Sequence, residues 1–328
     1  MESILIKDLY APDIKTIAET GDCTVYRMEN ESGYGRITRY PIYPGIELLY
    51  NDMHMEGCRQ DKQPRRGVME INHCRAGRFE CEFLNGAYAY LGEGDLAINM
   101  LTNKPVESCF PLSHYHGISV IVDLAQGAKT LSLVSAALGG ISMDLYAIRD
   151  RLCGGNTCFV MRTGESIQHI FSELYTAPEH LKRSYFKLKI LELLLFLGAV
   201  DPSDTGAGRP YFYQSQVAVI KEIKEYMTAN LDRRFTLNEL SRRFHLPLTS
   251  MKLCFKGVYG SPIYTYMLSY RIQTAAMLLR QTGDSVTAIG LKVGYSNCGK
   301  FSAAFKKIMN ISPTEYRNKY CLTGANRV

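Results

Sequence analysis

The sequence predicts an α+β protein, with an N-terminal β-barrel and helices followed by an all-α domain of two helix-turn-helix units. Three observations predict it. Short alternating strands, punctuated by Gly, Pro and Asn, run from about Gly21 to Asp123. A run of Gly, Pro and short polar residues, Asp201 to Pro210, then breaks the pattern as an interdomain linker does. Beyond it one helical device occurs twice, in a segment whose charge is opposite to that of the rest. These place the domains at 1–200 and 216–321, with a linker at 201–215.

The expected strands are Thr24–Met28, Ile46–Tyr50, Met69–Cys74, Phe79–Phe83, Leu96–Met100 and Gly117–Val122. Many short strands at regular intervals suggest a small barrel. A barrel interior lined by aromatic, Met and polar groups suits a small-molecule effector. Strand positions nominate Tyr26, Tyr50, Met69, Ile71, His73, Met100 and His116 as lining residues, with Met28, Met53 and Phe79 behind them. Strict alternation turns about half of such a set the other way.

Helices follow the strands. Ile167, Ile170, Phe171 and Leu174 form one apolar stripe. Phe186, Ile190, Leu191, Leu193, Leu194 and Leu197 form a second, apolar over more than one face. Such a helix needs cover on two sides, either within its own domain or from its twin in a homodimer.

Charge separates the two halves. Gln216–Cys321 carries 16 Lys and Arg against 6 Asp and Glu, a net +10, whereas Met1–Val200 carries −4. A basic domain concentrates polyanions, and phosphate binding releases counterions. No apolar stretch suffices for a bilayer, since Ile190–Val200 is short and holds Glu192. The first fifteen residues alternate charges, unlike an export signal, so a cytoplasmic protein without membrane partners is expected. The ten cysteines include no C-x-x-C pair and read as reduced thiols.

Within the basic segment, Val217, Ile220, Ile223 and Met227 mark a first helix. Thr236 then caps a helix, with Glu239 three residues on as in a capping box, and Leu237, Leu240 and Phe244 form its stripe. Pro247 ends it, and a second helix from about Thr249 buries Met251 and Phe255 before Gly260 stops it. From Ser285 the order repeats. Val286, Ile289 and Val293 make the stripe, Gly294 the turn, Phe301 and Phe305 the buried pair, and Asn310 the stop. Ser241 matches Gly290 where crossing helices approach. Between the units Ile263–Gln281 reads as one long helix holding both. Two second helices on a rigid frame suit successive major grooves, about 34 Å apart.

Arg271-Ile-Gln-Thr-Ala-Ala-Met-Leu-Leu279, Ile289-Gly-Leu-Lys-Val-Gly-Tyr-Ser-Asn297, Phe301-Ser-Ala-Ala-Phe-Lys306 and Ser312-Pro-Thr-Glu-Tyr-Arg317 resemble the AraC/XylS family of bacterial transcription regulators. The resemblance covers about the last hundred residues. Met251-Lys-Leu-Cys-Phe-Lys256 with Val258-Tyr-Gly260 is most similar to the branch containing regulators of siderophore uptake. It implies a cupin-like effector barrel, a homodimer, double-stranded DNA as partner, RNA polymerase as a candidate second partner, and base contacts on the second helix of each unit. With the buried pairs inward, Thr249, Ser250, Lys252 and Leu253 face the groove in the first unit. Asn297, Cys298, Gly299, Lys300 and Ala303 face it in the second. Lys252 and Lys300 suit guanine edges or phosphate, and Asn297 suits an adenine edge or, better, a helix cap. Gly299 and Ala303 stand where many relatives carry larger polar side chains, so shape and backbone contacts gain weight there. Lys256, Lys306, Lys307, Arg242, Arg243 and Lys292 are candidates for phosphate contacts, and Arg271 for an internal ion pair.

Catalysis is not expected, because paired carboxylates, a nucleophile elbow and a phosphate loop are missing from the sequence. Cupin enzymes hold a metal with a His-x-His, a Glu and a later His. Here His114-x-His116 comes late in the barrel, so no metal or other cofactor is expected. The competing readings are a metal-dependent cupin-type enzyme using His73, His114 and His116, fused to a DNA-binding domain, and a regulator whose barrel is vestigial.

Overall fold

The computed structural model describes residues 14–59, 65–82, 87–103, 107–154, 158–203 and 212–320. The chain divides into two units, Met1–Tyr213 and Gln214–Val328.

Every strand pairing in the first unit is antiparallel. The strands are β1 (Lys15–Glu19), β2 (Thr24–Asn30), β3 (Gly33–Tyr43), β4 (Ile46–His54), β5 (Gly57–Arg59), β6 (Val68–Glu82), β7 (Ala87–Gly92), β8 (Asp95–Met100), β9 (Glu107–Cys109) and β10 (Tyr115–Asp123). Helices α1 (Leu124–Ala137) and α2 (Leu145–Leu152) follow, then β11 (Phe159–Arg162), α3 (Glu165–Thr176), α4 (Lys182–Ala199) and β12 (Phe212–Tyr213). Asp123 and Asp144 cap α1 and α2 by accepting backbone N–H groups of Gln126 and of Tyr146 and Ala147.

The fifteen-residue β6 organises the sheet. Its first half pairs with β10 and β8, its second with β7 and β9. Between the halves the register slips opposite His116–Gly117, and Gly77 takes φ +84°. A Cβ at Gly77 would lie 2.2 Å from the His114 carbonyl oxygen, so only glycine permits this bend. The expected strands Met69–Cys74 and Phe79–Phe83 are therefore one bent strand, Phe83 lying outside the described residues. The result is a curled half-barrel rather than a closed barrel, with the strand path ending at β1 and at β12.

The sheet has two buried faces. Ile46, Leu48, Met69, Ile71, Leu96, Ile98, Ile118 and Val120 pack against α1–α4. The concave face encloses Tyr26, Ile37, Leu49, Met53, Leu91, Phe110 and Tyr115. Phe186, Ile190, Leu191, Leu193, Leu194 and Leu197 of α4 are all buried within the unit. That stripe is covered by its own domain and needs no twin. What α4 leaves exposed is Leu188 and Leu195, with Leu181 seven residues before Leu188.

Residues 204–211, much of the expected linker, lie outside the described residues. Phe212–Tyr213 pairs with β7 and so belongs to the sheet, while Gln214 already opens α5 (Gln214–Ala229). The helices α6 (Leu237–Arg243), α7 (Leu248–Tyr259), α8 (Ile263–Gln281), α9 (Val286–Lys292), α10 (Cys298–Met309) and α11 (Pro313–Tyr320) complete the second unit. The long α8 packs on α7, α9, α10 and α11. No helix among the described residues is long and apolar enough to cross a membrane.

Candidate functional site

The two helix-turn-helix units, α6–α7 and α9–α10, repeat atom for atom at their control points. Thr236 Oγ1 accepts from Glu239 N and Ser285 Oγ from Ala288 N, both at 3.1 Å. The backbone then reverses through left-handed residues, His245 (φ 52°) and Gly294 (φ 82°). Leu246 N donates to the Ser241 carbonyl in one unit, Tyr295 N to the Gly290 carbonyl in the other. Both second helices end in the left-handed region, at Gly260 and Asn310. The close approach anticipated at Gly290 is present, since a Cβ there would meet the Phe301 ring at 3.2 Å.

Two details differ from expectation. Glu239 does not close a capping box, because its carboxylate pairs with Arg233. The full box belongs to α11, where Ser312 Oγ accepts from Glu315 N at 3.2 Å and Glu315 Oε2 accepts from Ser312 N at 2.7 Å. The Ser312 backbone N–H, and after it the Ser312 side chain, hold the Glu315 carboxyl below its ordinary range. Arg271 makes no ion pair among the described residues. Its guanidinium, largely buried, donates to the Val293 carbonyl at 2.9 Å and the Arg233 carbonyl at 2.6 Å. It thus ties α8 to the second turn and to the segment before α6.

Met251, Phe255, Phe301 and Phe305 are buried. The outer turns of α7 and α10 carry Thr249, Lys252, Leu253, Lys256, Cys298, Gly299, Lys300, Ala303, Lys306 and Lys307 exposed and Ser250 partly covered. Asn297, also exposed, caps α10 by accepting from Lys300 N at 2.9 Å. Lys252, Lys256, Lys300, Lys306 and Lys307 form no ion pair among the described residues. Lys292 is held by Asp284 at 2.7 Å, and Arg243 lies 4.3 Å over the Tyr226 ring, so neither is as free for a partner.

In the first unit the structure splits the expected effector residues. Tyr26 faces the concave core. Tyr50, Met69, Ile71, His73 and Met100 lie on the opposite face, against the helices. His73 stacks on Phe171 at 4.0 Å and shares a 3.2 Å hydrogen bond with the Tyr175 hydroxyl. Burial pushes its pKa down to about 4, so it is a neutral core group. His116 shares the face of Ile118 and Val120 by alternation along β10 and sits beside Asp52, away from the cavity. The concave face instead opens a narrow cavity lined by Asn51, Met53, Cys58, Glu70, Asn72, Phe79, Ser108, Phe110, Tyr115 and Ser119. Asn51 Nδ2 donates to Ser119 Oγ at 2.8 Å, and Ser119 donates on to Asn72 Oδ1. Asn51 Oδ1 and the Tyr115 hydroxyl are buried without a hydrogen-bond partner among the described residues. Alternation of Glu70 and Asn72 with Met69, Ile71 and His73 was the available signal. The apolar parity goes to the helices, and the polar parity is left facing the cavity.

Sequence reasoning also passed over Asp52 and His54. They lie on one face of β4, and Asp52 is in register with His116 of β10. His54 Nε2 and His116 Nδ1 approach the same oxygen, Asp52 Oδ1, at 2.9 and 2.8 Å. Desolvation lowers the pKa of His116, with Asp52 pulling the other way. The trio His73, His114 and His116 does not assemble as a ligand set, because His73 is committed to Phe171 and Tyr175.

A family model described as a helix-turn-helix domain matches residues 240–319. The chain is 26% identical over 154 residues to the HTH-type transcriptional activator RhaR of Mannheimia succiniciproducens, covering 47% of this chain and 55% of that one. It is 30% identical over 104 residues to the HTH-type transcriptional activator AarP of Providencia stuartii, covering 32% of this chain and 77% of that relative. The chain belongs to the AraC family of helix-turn-helix regulators. Among solved structures, this AraC-family chain aligns with ToxT from Vibrio cholerae O395 at 14% identity and TM-score 0.31, over 86% of this chain and 99% of that one. The chain spans about half the length of the first of these curated relatives.

Proposed function

We propose that this AraC-family chain is a sequence-specific, DNA-binding transcription regulator that answers to a small molecule held by its N-terminal unit. The observation that carries the reading is the doubled helix-turn-helix. Both second helices turn an exposed, cationic face outward, and five of its lysines are free of internal carboxylate partners. In this reading α7 and α10 enter the major groove, with Lys252 and Lys300 at base edges or phosphates and Lys256, Lys306 and Lys307 at phosphates. Asn297, engaged as a cap, supports α10 rather than reading a base. Gly299 and Ala303 offer little to a base edge, so α10 relies on backbone fit and on the local shape of the duplex.

The effector is best placed in the concave, cupin-like half of the sheet. Asn51 Oδ1 and the Tyr115 hydroxyl supply an acceptor and a donor already desolvated and unused. The rings of Phe79, Phe110 and Tyr115, mutually 5.2–5.8 Å apart, narrow the space to about 30 Å³, so an effector would enter only as these rings move apart. A homodimer is supported by Leu188 and Leu195, exposed one heptad apart along α4, with exposed Leu181 seven residues before Leu188 in the preceding turn. Effector binding regulates DNA affinity only if it favours one arrangement of the dimer over another.

Gel-shift titration of the full chain on DNA from upstream of its own gene tests the reading. The expected result is retarded DNA that survives excess random competitor at moderate salt. Equal affinity for random DNA would overturn it.

A further inference from the structure

We infer that Asp52, His54 and His116 form a binding site for one first-row divalent transition-metal ion of the zinc class. The three side chains come from two neighbouring central strands. Asp52 and His54 are two residues apart on β4 and share a face by alternation, and His116 of β10 is the residue directly across from Asp52. Register, rather than a flexible loop, thus brings them together. Their ligand atoms, Asp52 Oδ1, His54 Nε2 and His116 Nδ1, all lie within 4.8 Å of one another. The two pairs through Asp52 measure 2.9 and 2.8 Å. Zinc at about 2.0–2.1 Å from each of three tetrahedral ligands sets them about 3.3 Å apart. The two short pairs need only widen by about half an ångström to admit an ion at that spacing.

The donor set is that of a metal site with an open position. Two imidazoles and a carboxylate give borderline ligands suited to zinc, cobalt or nickel, and three protein ligands leave room for water or an exogenous group. All three side chains are partly solvent-exposed, so an ion has a route in. Other charged groups face the site. Arg36 of β3 is in register with Asp52, His114 precedes β10 with its ring 6.1 Å from that of His116, and the charge of Arg75 on β6 bears on His116. The two guanidinium groups oppose a bare cation and favour an anion in the open position. His114, whose Nδ1 meets the Leu112 carbonyl at 2.9 Å, falls outside the set of mutually close ligand atoms. The ion cross-links β4 to β10 on the face of the sheet opposite the polar cavity, so this inference does not depend on the effector or on DNA binding.

The test is equilibrium dialysis of the reduced full chain against zinc, paired with visible spectroscopy of the cobalt-loaded protein. One ion per chain is expected. A cobalt spectrum with ligand-field bands and without thiolate charge transfer is also expected, which separates this site from the free cysteines. His54→Gln with His116→Gln should abolish that equivalent. Asp52→Asn alone should weaken it beyond the about 10–100-fold typical of losing an outer-shell partner, and His114→Gln should leave it in place. Circular dichroism of each variant confirms that it is folded. Should the double variant unfold, Asp52→Asn decides by itself. No stoichiometric zinc on the wild-type chain, the same zinc on the folded double variant or on Asp52→Asn, or a thiolate-dominated cobalt spectrum would overturn the site.

Discussion

Gly294 and His245 occupy equivalent turns and show how one residue sets local stability. At Gly294 a Cβ would sit 1.7 Å from Arg271 Nη1 and 2.4 Å from the Leu231 carbonyl oxygen, with φ at +82°. Gly294→Ala should therefore cost at least about 2 kcal/mol through strain and displacement of the Arg271 guanidinium. His245, exposed at φ 52°, bears the left-handed penalty without such neighbours. His245→Gly should stabilise the same unit by up to about 1 kcal/mol. Thermal unfolding followed by circular dichroism reads both, and shifts of the same sign would contradict this account. His73 provides the pH-dependent counterpart. Its folded pKa lies near 4, below the unfolded value near 6.5. Between those values the unfolded chain takes up a proton that the folded chain refuses. Stability is therefore fully present above about pH 6.5 and falls as pH drops towards 4, by about 3 kcal/mol at the lower end. In His73→Met the melting temperature should depend less steeply on pH across that window. An unchanged slope would remove His73 as the cause.

At the scale of elements, the second helices divide labour between their faces, and substitutions should sort accordingly. Lys306→Ala and Lys307→Ala should each lower the slope of log affinity against log salt by about 0.9 while preserving sequence preference. Lys252→Ala should relax preference at one base pair by about 1–3 kcal/mol if it reads a base edge. Salt titrations on cognate and scrambled duplexes separate the outcomes, and a uniform loss for Lys252→Ala would make it a phosphate contact. The helical half was legible because its signals are local. Caps at Thr236 and Ser285, left-handed stops at Gly260 and Asn310, and buried pairs one turn apart are each set within a few residues. The sheet was legible in outline only. Which parity of β6 faces the helices depends on partners up to a hundred residues away, such as Phe171 and Tyr175 on His73. Met69 and Ile71 read as effector-lining because both faces of β6 are buried, and hydrophobicity alone does not say which face meets a cavity. Arg271 was legible as structural, but its partners were not, since backbone carbonyls leave no mark in a sequence.

For the whole molecule, a net charge of +6 conceals a basic C-terminal segment and a mildly acidic N-terminal one, so attraction of polyanions falls on the helical unit. In the proposed reading one such unit carries a single pair of groove-entering helices. Joining two through the N-terminal units makes the second binding event intramolecular, which raises avidity by about 10²–10⁴ where two sites are suitably spaced. The surface that would join them must be apolar, exposed and outside the core of the domain. On α4 the core is already satisfied by Phe186, Ile190, Leu193, Leu194 and Leu197, leaving Leu188 (63% exposed) and Leu195 (38% exposed) outward. Leu188→Glu with Leu195→Glu should thus convert the chain to a monomer without lowering its melting temperature, because neither side chain supports the core. Light scattering reads the oligomeric state directly. The double variant should keep its affinity for a single site and lose the avidity for paired ones. A variant that remains dimeric would move the interface to another face, and one that unfolds would show that these leucines serve the core after all.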